Sequence, residues 1–127
     1  MAKKMKTVLL NVYEDFKKVV EVEDKLDDFY KNLDCDCIDI VQRKIGGKWF
    51  DVMCDDEGLF RSDQKISAIN DMGQLMLVGN LMFFKHDEAG NTIGLEDEEI
   101  KHIQRYIQTM YTRNHPEGYK MLTQCEY

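Results

Sequence analysis

The apolar positions along the chain change period several times, and each change marks an element. Thr7 to Tyr13 (TVLLNVY) is a β-branched and aliphatic run that predicts a first strand. Val19, Val20 and Val22 in KKVVEVE predict a second strand, or a continuation of the first. From Asp24 the spacing lengthens. Leu26, Phe29, Tyr30 and Leu33 stand at i, i+3, i+4 and i+7, the stripe of a short amphipathic helix. Asp24 is its expected N-cap, with Asp27 and Asp28 in the first turn, where the helix dipole favours acids.

The clearest hairpin signal follows. CIDIVQRKI and WFDVMCD flank Gly46-Gly47, residues that accept positive φ without steric cost. Side chains alternate along a strand, so Phe50, Val52 and Cys54 share one face, and Ile38 and Ile40 share a face of the preceding strand. Packing these two faces together gives the expected core. Trp49, Asp51 and Met53 then point the other way, toward a second layer or a partner. Trp49 and Met53 are accordingly the candidate interface residues.

QKISAIND is expected as a short helical turn or an irregular connection. In QLMLVGNLMFFKHD, Gly79-Asn80 is either a tight hairpin turn or a bend in one long strand, and the bend is preferred. The final element is expected to be a helix through EDEEIKHIQRYIQTMY, with Ile100, Ile103, Ile107, Met110 and Tyr111 on one face. Residues 113–127 show no period and are expected as a tail. The pattern as a whole predicts a single domain over residues 1–127. Its class is α+β: an antiparallel or mixed sheet of about four to six strands covered by two helices.

Composition narrows the functions. The chain has 127 residues, 43% of them hydrophobic, and a single proline, as a globular domain does. Its net charge of −7 argues against a general affinity for nucleic acid. The apolar run near the start is too short for a membrane span or a secretory signal. The four cysteines lack the density of a secreted scaffold and read as reduced thiols, so a cytoplasmic setting is expected.

MCDDEGLFRS, residues 53–62, gathers a thiol, three consecutive acids and a glycine, the composition of a turn and the first candidate for chemistry. With Gly58 at position 6 of a calcium loop, Met53 falls at position 1 and Gln64 at position 12, so the first carboxylate and the bidentate glutamate are both missing. Cys35, Cys37 and Cys54 with His86 or His102 would make four zinc ligands, but no second close cysteine pair exists. A buried apolar role for Cys54 is preferred, and no metal or other cofactor is expected. The acids around the thiols (Asp34, Asp36, Asp55 and Asp56) would raise their pKa values, which opposes thiolate nucleophiles. No serine–histidine grouping or phosphate-cradling glycine loop is present. Of the small basic groups, Arg61 and Lys65, with Asn70 and Asn80, are the candidate ligand-binding residues for an anionic small molecule.

The segments CIDIVQRKIGGKWFDVMCDDEG, LFRSDQKISAIN, GQLMLVGNLMFF and GLEDEEIKHIQRYI, taken in order, resemble a small bacterial family known only as a domain of unknown function, carried largely by phages and plasmids. The family's turn signature corresponds to Met53-Cys54-Asp55-Asp56-Glu57-Gly58. Asn70, Gly79 and Leu95-Glu96-Asp97-Glu98-Glu99-Ile100 match its later motifs. Glu96 stands where a capping threonine is usual. The resemblance covers roughly residues 37–107, and residues before 24 and after about 112 look particular to this chain. It implies a mobile-element origin and an accessory role, and it carries no activity, cofactor or catalytic residue.

Together these readings favour a non-catalytic binding protein of phage or mobile-element origin that blocks a host bacterial protein, such as one of a defence system, or sequesters a nucleotide-like ligand. The alternatives are a small metal-dependent hydrolase or nucleotide-processing enzyme using Asp55, Asp56 or Glu57, and an oligomeric interaction protein.

Overall fold

The computed structural model describes residues 4–57 and 65–127. It is α+β, with two helices, and its strands divide into two sheets of seven and four strands instead of one. The first hairpin joins β1 (Lys4–Asn11) to β2 (Phe16–Glu23), paired from Lys4↔Glu23 to Asn11↔Phe16. Asn11 makes the turn itself: its Oδ1 accepts the N–H groups of Tyr13 at 3.0 Å and Glu14 at 2.9 Å.

Helix α1 (Leu26–Leu33) follows, with Phe29 and Leu33 buried and Leu26 left exposed. Lys25, not Asp24, holds the N-cap position and makes no side-chain cap. The Asp28 carboxylate reaches back to accept the Glu23 N–H at 2.7 Å, so the first turn is held from inside the helix. The hairpin β3 (Ile38–Ile45) to β4 (Lys48–Asp55) forms where expected, with φ of 54° at Gly46 and 90° at Gly47. Its register corrects one expectation. Directly opposed residues of antiparallel strands share a face, and the pairs Ile38↔Asp55 and Ile40↔Met53 set both isoleucines with Met53. Val41 and Ile45 take the place opposite Val52 and Lys48, on the Phe50–Cys54 side.

The expected helical turn around KISAIN is a strand: β5 (Ile66–Ile69) lies between β6 (Leu75–Val78) and a later strand, β10 (Tyr119–Leu122). At Gly79, with φ of 81°, the chain leaves the small sheet and enters the large one as β7 (Leu81–His86). The segment is therefore neither a tight hairpin nor the preferred single bent strand: β6 and β7 belong to different sheets, and the bend at Gly79 passes the chain between them. The final helix is shorter than its periodicity suggested. After β8 (Thr92–Ile93), α2 spans Asp97–Arg105, and Ile107–Met110 turns into strand β9, because β10 (Tyr119–Leu122) pairs with it from Ile107↔Leu122 to Met110↔Tyr119. The α2 start is satisfied despite the missing threonine, since the Glu99 side chain accepts the Glu96 N–H at 2.8 Å.

Residues 113–127 are not a tail. They supply β10, which is central in the small sheet, and β11 (Cys125–Glu126), which edges the large one. Tyr119, Met121, Leu122 and Cys125 are all buried, although their spacing follows no single period, and they pack into the main core.

The large sheet runs β11-β3-β4-β7-β1-β2, with β8 attached to β7; the small one runs β6-β5-β10-β9. One face of the large sheet meets the small sheet and α2 in the main core, through residues such as Val8, Leu10, Val52, Phe83, Ile103 and Leu122. The opposite face meets α1 in a second core that includes Met5, Leu9, Phe29, Met53, Met82 and Phe84.

Strand β7 shares one edge between two partners. Leu81 and Met82 pair with β1, whereas Lys85 and His86 pair with β8. Between them the strands part, and the fully buried Thr7 side chain fills the gap. Its Oγ1 accepts the Phe83 N–H at 3.0 Å, and its hydroxyl donates to the Phe83 carbonyl. The chain after β8 wedges against β1, where the Leu95 N–H donates to the Lys6 carbonyl at 2.8 Å.

Candidate functional site

The sequence-derived ligand residues do not converge. Arg61 lies outside the described residues. Asn80 is buried and fully used: its Oδ1 accepts the Val12 N–H at 2.9 Å, and its Nδ2 donates to the Leu33 carbonyl at 3.1 Å. It ties the end of β1 to the end of α1. Asn70 builds the β5–β6 turn, its Oδ1 accepting the N–H groups of Met72 and Gln74 and its Nδ2 donating to Gln74 Oε1. Only Lys65 faces a cleft. This cavity of about 260 Å³ is lined by Lys65, Ile66, Thr112, Arg113, Asn114, His115 and Tyr119. The Lys65 ammonium lies 5.0 Å from the centre of the Tyr119 ring.

The two interface candidates separate. Met53 is 1% exposed, because α1 lies directly over it, so it is a core residue and not an interface one. Trp49, four residues earlier on the same face of β4, is 58% exposed. The reason is length. Helix α1 is about 12 Å long, and Trp49 lies four residues, about 13 Å, along β4 from Met53. The helix packs over β2, β1 and β7 and reaches β4 at Met53, which leaves the Trp49 end of the β3–β4 hairpin open.

On that open end the register gathers a set of side chains. Gln42 opposes Asp51, Lys44 opposes Trp49, and Ile40, 49% exposed, stands one pair further along. Asp51 also opposes Phe84, two residues before His86 on the same face of β7. The Asp51 carboxylate and His86 Nδ1 are 2.8 Å apart. Lys85, on the margin, pairs with Glu99 of α2 at 2.9 Å. Gln42, Trp49, Phe50, Asp51, Lys85 and His86 surround a depression of about 430 Å³. An aromatic and an aliphatic side chain beside a polar rim is the chemistry of a protein-contact surface. Of these residues the sequence offered Trp49 as an interface residue, with Asp51 on the same face. It offered His86 only as a trial zinc ligand and Ile40 only as a core residue, and Gln42 gave no signal, since their grouping depends on strand register.

The acidic region carries no comparable site. Asp34, Asp36, Asp55 and Glu57, with Tyr30, Lys31 and Cys35, line a separate depression of about 500 Å³. Among the described residues, no three histidine, cysteine, aspartate or glutamate side chains converge to hold a metal. Asp55 Oδ1 accepts the Glu57 N–H at 2.9 Å, which makes the start of this stretch a turn, as its composition suggested. The thiols are poorly suited to attack. Burial and the Asp55 charge push Cys35 up to about 11, and burial with the Asp39 charge pushes Cys54 up to about 12. Burial likewise raises Cys125 to about 11, and the Glu57 charge leads in raising exposed Cys37. Among the described residues no helix is long and apolar enough to cross a membrane.

Fold and site together define an α+β domain of two stacked sheets, with a short helix that leaves part of one sheet face open around a tryptophan. The chain belongs to the family described as Domain of unknown function (DUF3846), whose model matches residues 5–110. The match begins within β1, so residues 5–23 are part of the family domain and not particular to this chain. No curated protein and no solved structure matches it significantly. Strands β10 and β11 lie beyond the family match and nonetheless complete both sheets.

Proposed function

We propose that this protein acts by binding another protein stoichiometrically, through the open end of the large sheet centred on Trp49. The observation that carries this reading is a lone tryptophan 58% exposed on a regular strand, with Ile40, 49% exposed, two register pairs further along the same face. An exposed tryptophan over a shallow depression with a polar rim is the usual anchor of a protein interface, where a few aromatic residues supply most of the affinity. The raised thiol pKa values support a non-catalytic role. The phage and plasmid setting implied by the family resemblance supports a host bacterial protein as the target, blocked by occupancy.

The test compares the full chain and its Trp49→Ala variant as baits in bacterial lysate. A partner retained by the first and weakened about 30-fold in affinity for the second, about 2 kcal/mol, is the expected result. Equal retention by two baits with the same melting temperature would overturn the reading.

A second reading, an anionic small ligand, has one specific support: the cleft in which Lys65, Arg113 and His115 stand together on a chain of net charge −7. Calorimetry with inorganic phosphate and with a nucleotide, repeated on Arg113→Ala, tests it. Heat of binding that this substitution removes supports the reading, and no heat from either ligand removes it.

A further inference from the structure

We infer that the outer edge of β2 is a self-association surface, at which two copies of this chain pair β2 against β2, antiparallel, with Val19 opposite Val19. The starting point is the length of the edge. β2 has eight residues, is hydrogen-bonded to β1 on one side, and has no described strand on the other. The edges of the small sheet, β6 and β9, have four residues each. An unpaired edge is a row of backbone donors and acceptors waiting for a partner, and proteins usually blunt it with charge, bulges or brevity. Here the edge is long and its register with β1 runs without a bulge.

The charges on β2 select the partner. In FKKVVEVE the lysines, Lys17 and Lys18, occupy one half and the glutamates, Glu21 and Glu23, the other. Blocks of this kind repel a parallel neighbour in register and attract an antiparallel copy. A two-fold axis at Val19 keeps opposed side chains on one face. It sets Lys17 against Glu21 twice, once on each side of the axis, with Lys18 against Val20. Val19 itself is 44% exposed, although it stands opposite the fully buried Val8 of β1, and the paired copy would cover it. Lys17 is held at 3.2 Å by the Gln104 carbonyl and has no acidic partner among the described residues. Glu21 has no basic partner within ion-pair distance among the described residues, because Lys6, opposite it on β1, pairs with Asp97 at 3.3 Å. The neighbouring register, centred on Val20, is poorer. It would require Glu23, which is already paired with Lys25 at 3.1 Å, and would leave Val19 facing Glu21. The free part of β3 is a weaker rival because its one cation, Arg43, is already stacked on the Tyr127 ring at 4.6 Å. The symmetric pairing is closed: it uses both edges and leaves none for a third copy.

Sedimentation velocity on the full chain, over about a hundredfold range of concentration, tests the inference. The wild type should reach a dimer. Lys17→Glu and Glu21→Lys should each weaken it at least about tenfold, since each replaces two attractive contacts by two repulsive ones. The double variant Lys17→Glu/Glu21→Lys should restore it, and Trp49→Ala should leave it unchanged. A wild type that stays monomeric, a double variant that stays monomeric while melting normally, or a dimer lost with Trp49→Ala but kept with Lys17→Glu would each overturn the inference. Cross-linking gives an independent reading, because opposed Cα atoms about 4.5–5.5 Å apart suit a disulfide. In a Cys37→Ser background, Val19→Cys should form a covalent dimer under mild oxidation and Leu26→Cys should not; failure of Val19→Cys to cross-link overturns the proposed register.

Discussion

The Thr7 side chain replaces a piece of sheet, and its removal should show how much that piece contributes. Phe83 lies on the stretch of β7 that neither β1 nor β8 reaches, and both its backbone groups bond to the Thr7 hydroxyl. Thr7→Val keeps the shape and removes the hydroxyl. It leaves one N–H and one carbonyl unpartnered at a site where both residues are 0% exposed. A buried backbone group deprived of its partner costs about 1–3 kcal/mol, so the pair should cost roughly 2–4 kcal/mol after the added methyl offsets a little. Thr7→Ser keeps the hydroxyl and loses only a methyl, which costs about 1 kcal/mol. Urea unfolding followed by circular dichroism, with unchanged slopes across the series, measures both. If Thr7→Val falls within about 0.5 kcal/mol of wild type, or if the serine variant is as damaged as the valine one, the hydroxyl is not what holds the two strands together.

Three further outcomes follow from the same physical reasoning. Ser67 is 0% exposed and its Oγ has no partner among the described residues, so Ser67→Ala should leave stability unchanged or raise it by up to about 1 kcal/mol in the same urea assay. Gly94 is needed for close approach: an added Cβ would lie 2.8 Å from the Lys6 nitrogen and 3.0 Å from the Met5 Cα, so Gly94→Ala should push the wedge away from β1 and cost about 1–3 kcal/mol of thermal stability. The thiols set an alkaline limit. Cys35, Cys54 and Cys125 are raised from 9.0 to about 11, 12 and 11, so the unfolded chain loses these protons first as pH rises. Their contribution is intact below about pH 9 and is lost progressively between about 9 and 12, and the melting temperature should decline over that window less steeply in Cys54→Ala than in wild type.

Local pattern decided much of this fold. The Gly46-Gly47 hairpin was legible because alternating apolar runs flank residues that tolerate positive φ, a property of the backbone alone. The stripe of α1 and the start of α2 were legible for the same reason: burial on one side imposes a period of 3.6, whatever lies beneath. The sequence also placed Trp49, Asp51 and Met53 on one face of β4. It could not say that the face is divided.

The errors have one physical source. Ile107, Met110 and Tyr111 continue the helical spacing of α2, yet Ile107–Met110 is a strand because β10, more than eight residues further on, offers it a ladder. IQTM has no strong intrinsic preference, and the tertiary contact wins. Residues 113–127 looked like a tail because four-residue and two-residue strands show almost no period, although their partners bury four large or sulfur-bearing side chains. Asn80 looked like a ligand group because an asparagine among apolar residues is chemically available in the sequence. In the fold its amide is consumed by Val12 and Leu33, from two other elements.

By itself, then, the sequence determined which segments are apolar on one face, where the backbone can reverse, and that acids stand near Cys35, Cys37 and Cys54. These depend on neighbours within a few residues. The burial that leads in raising Cys35, Cys54 and Cys125 came from the fold. The tertiary structure alone decided that Met53 is sealed under a helix while Trp49 stays open, and that β2 ends the sheet with its charges in two blocks. Both outcomes depend on the reach of an eight-residue helix and on the order of strands, quantities fixed by contacts between distant parts of the chain.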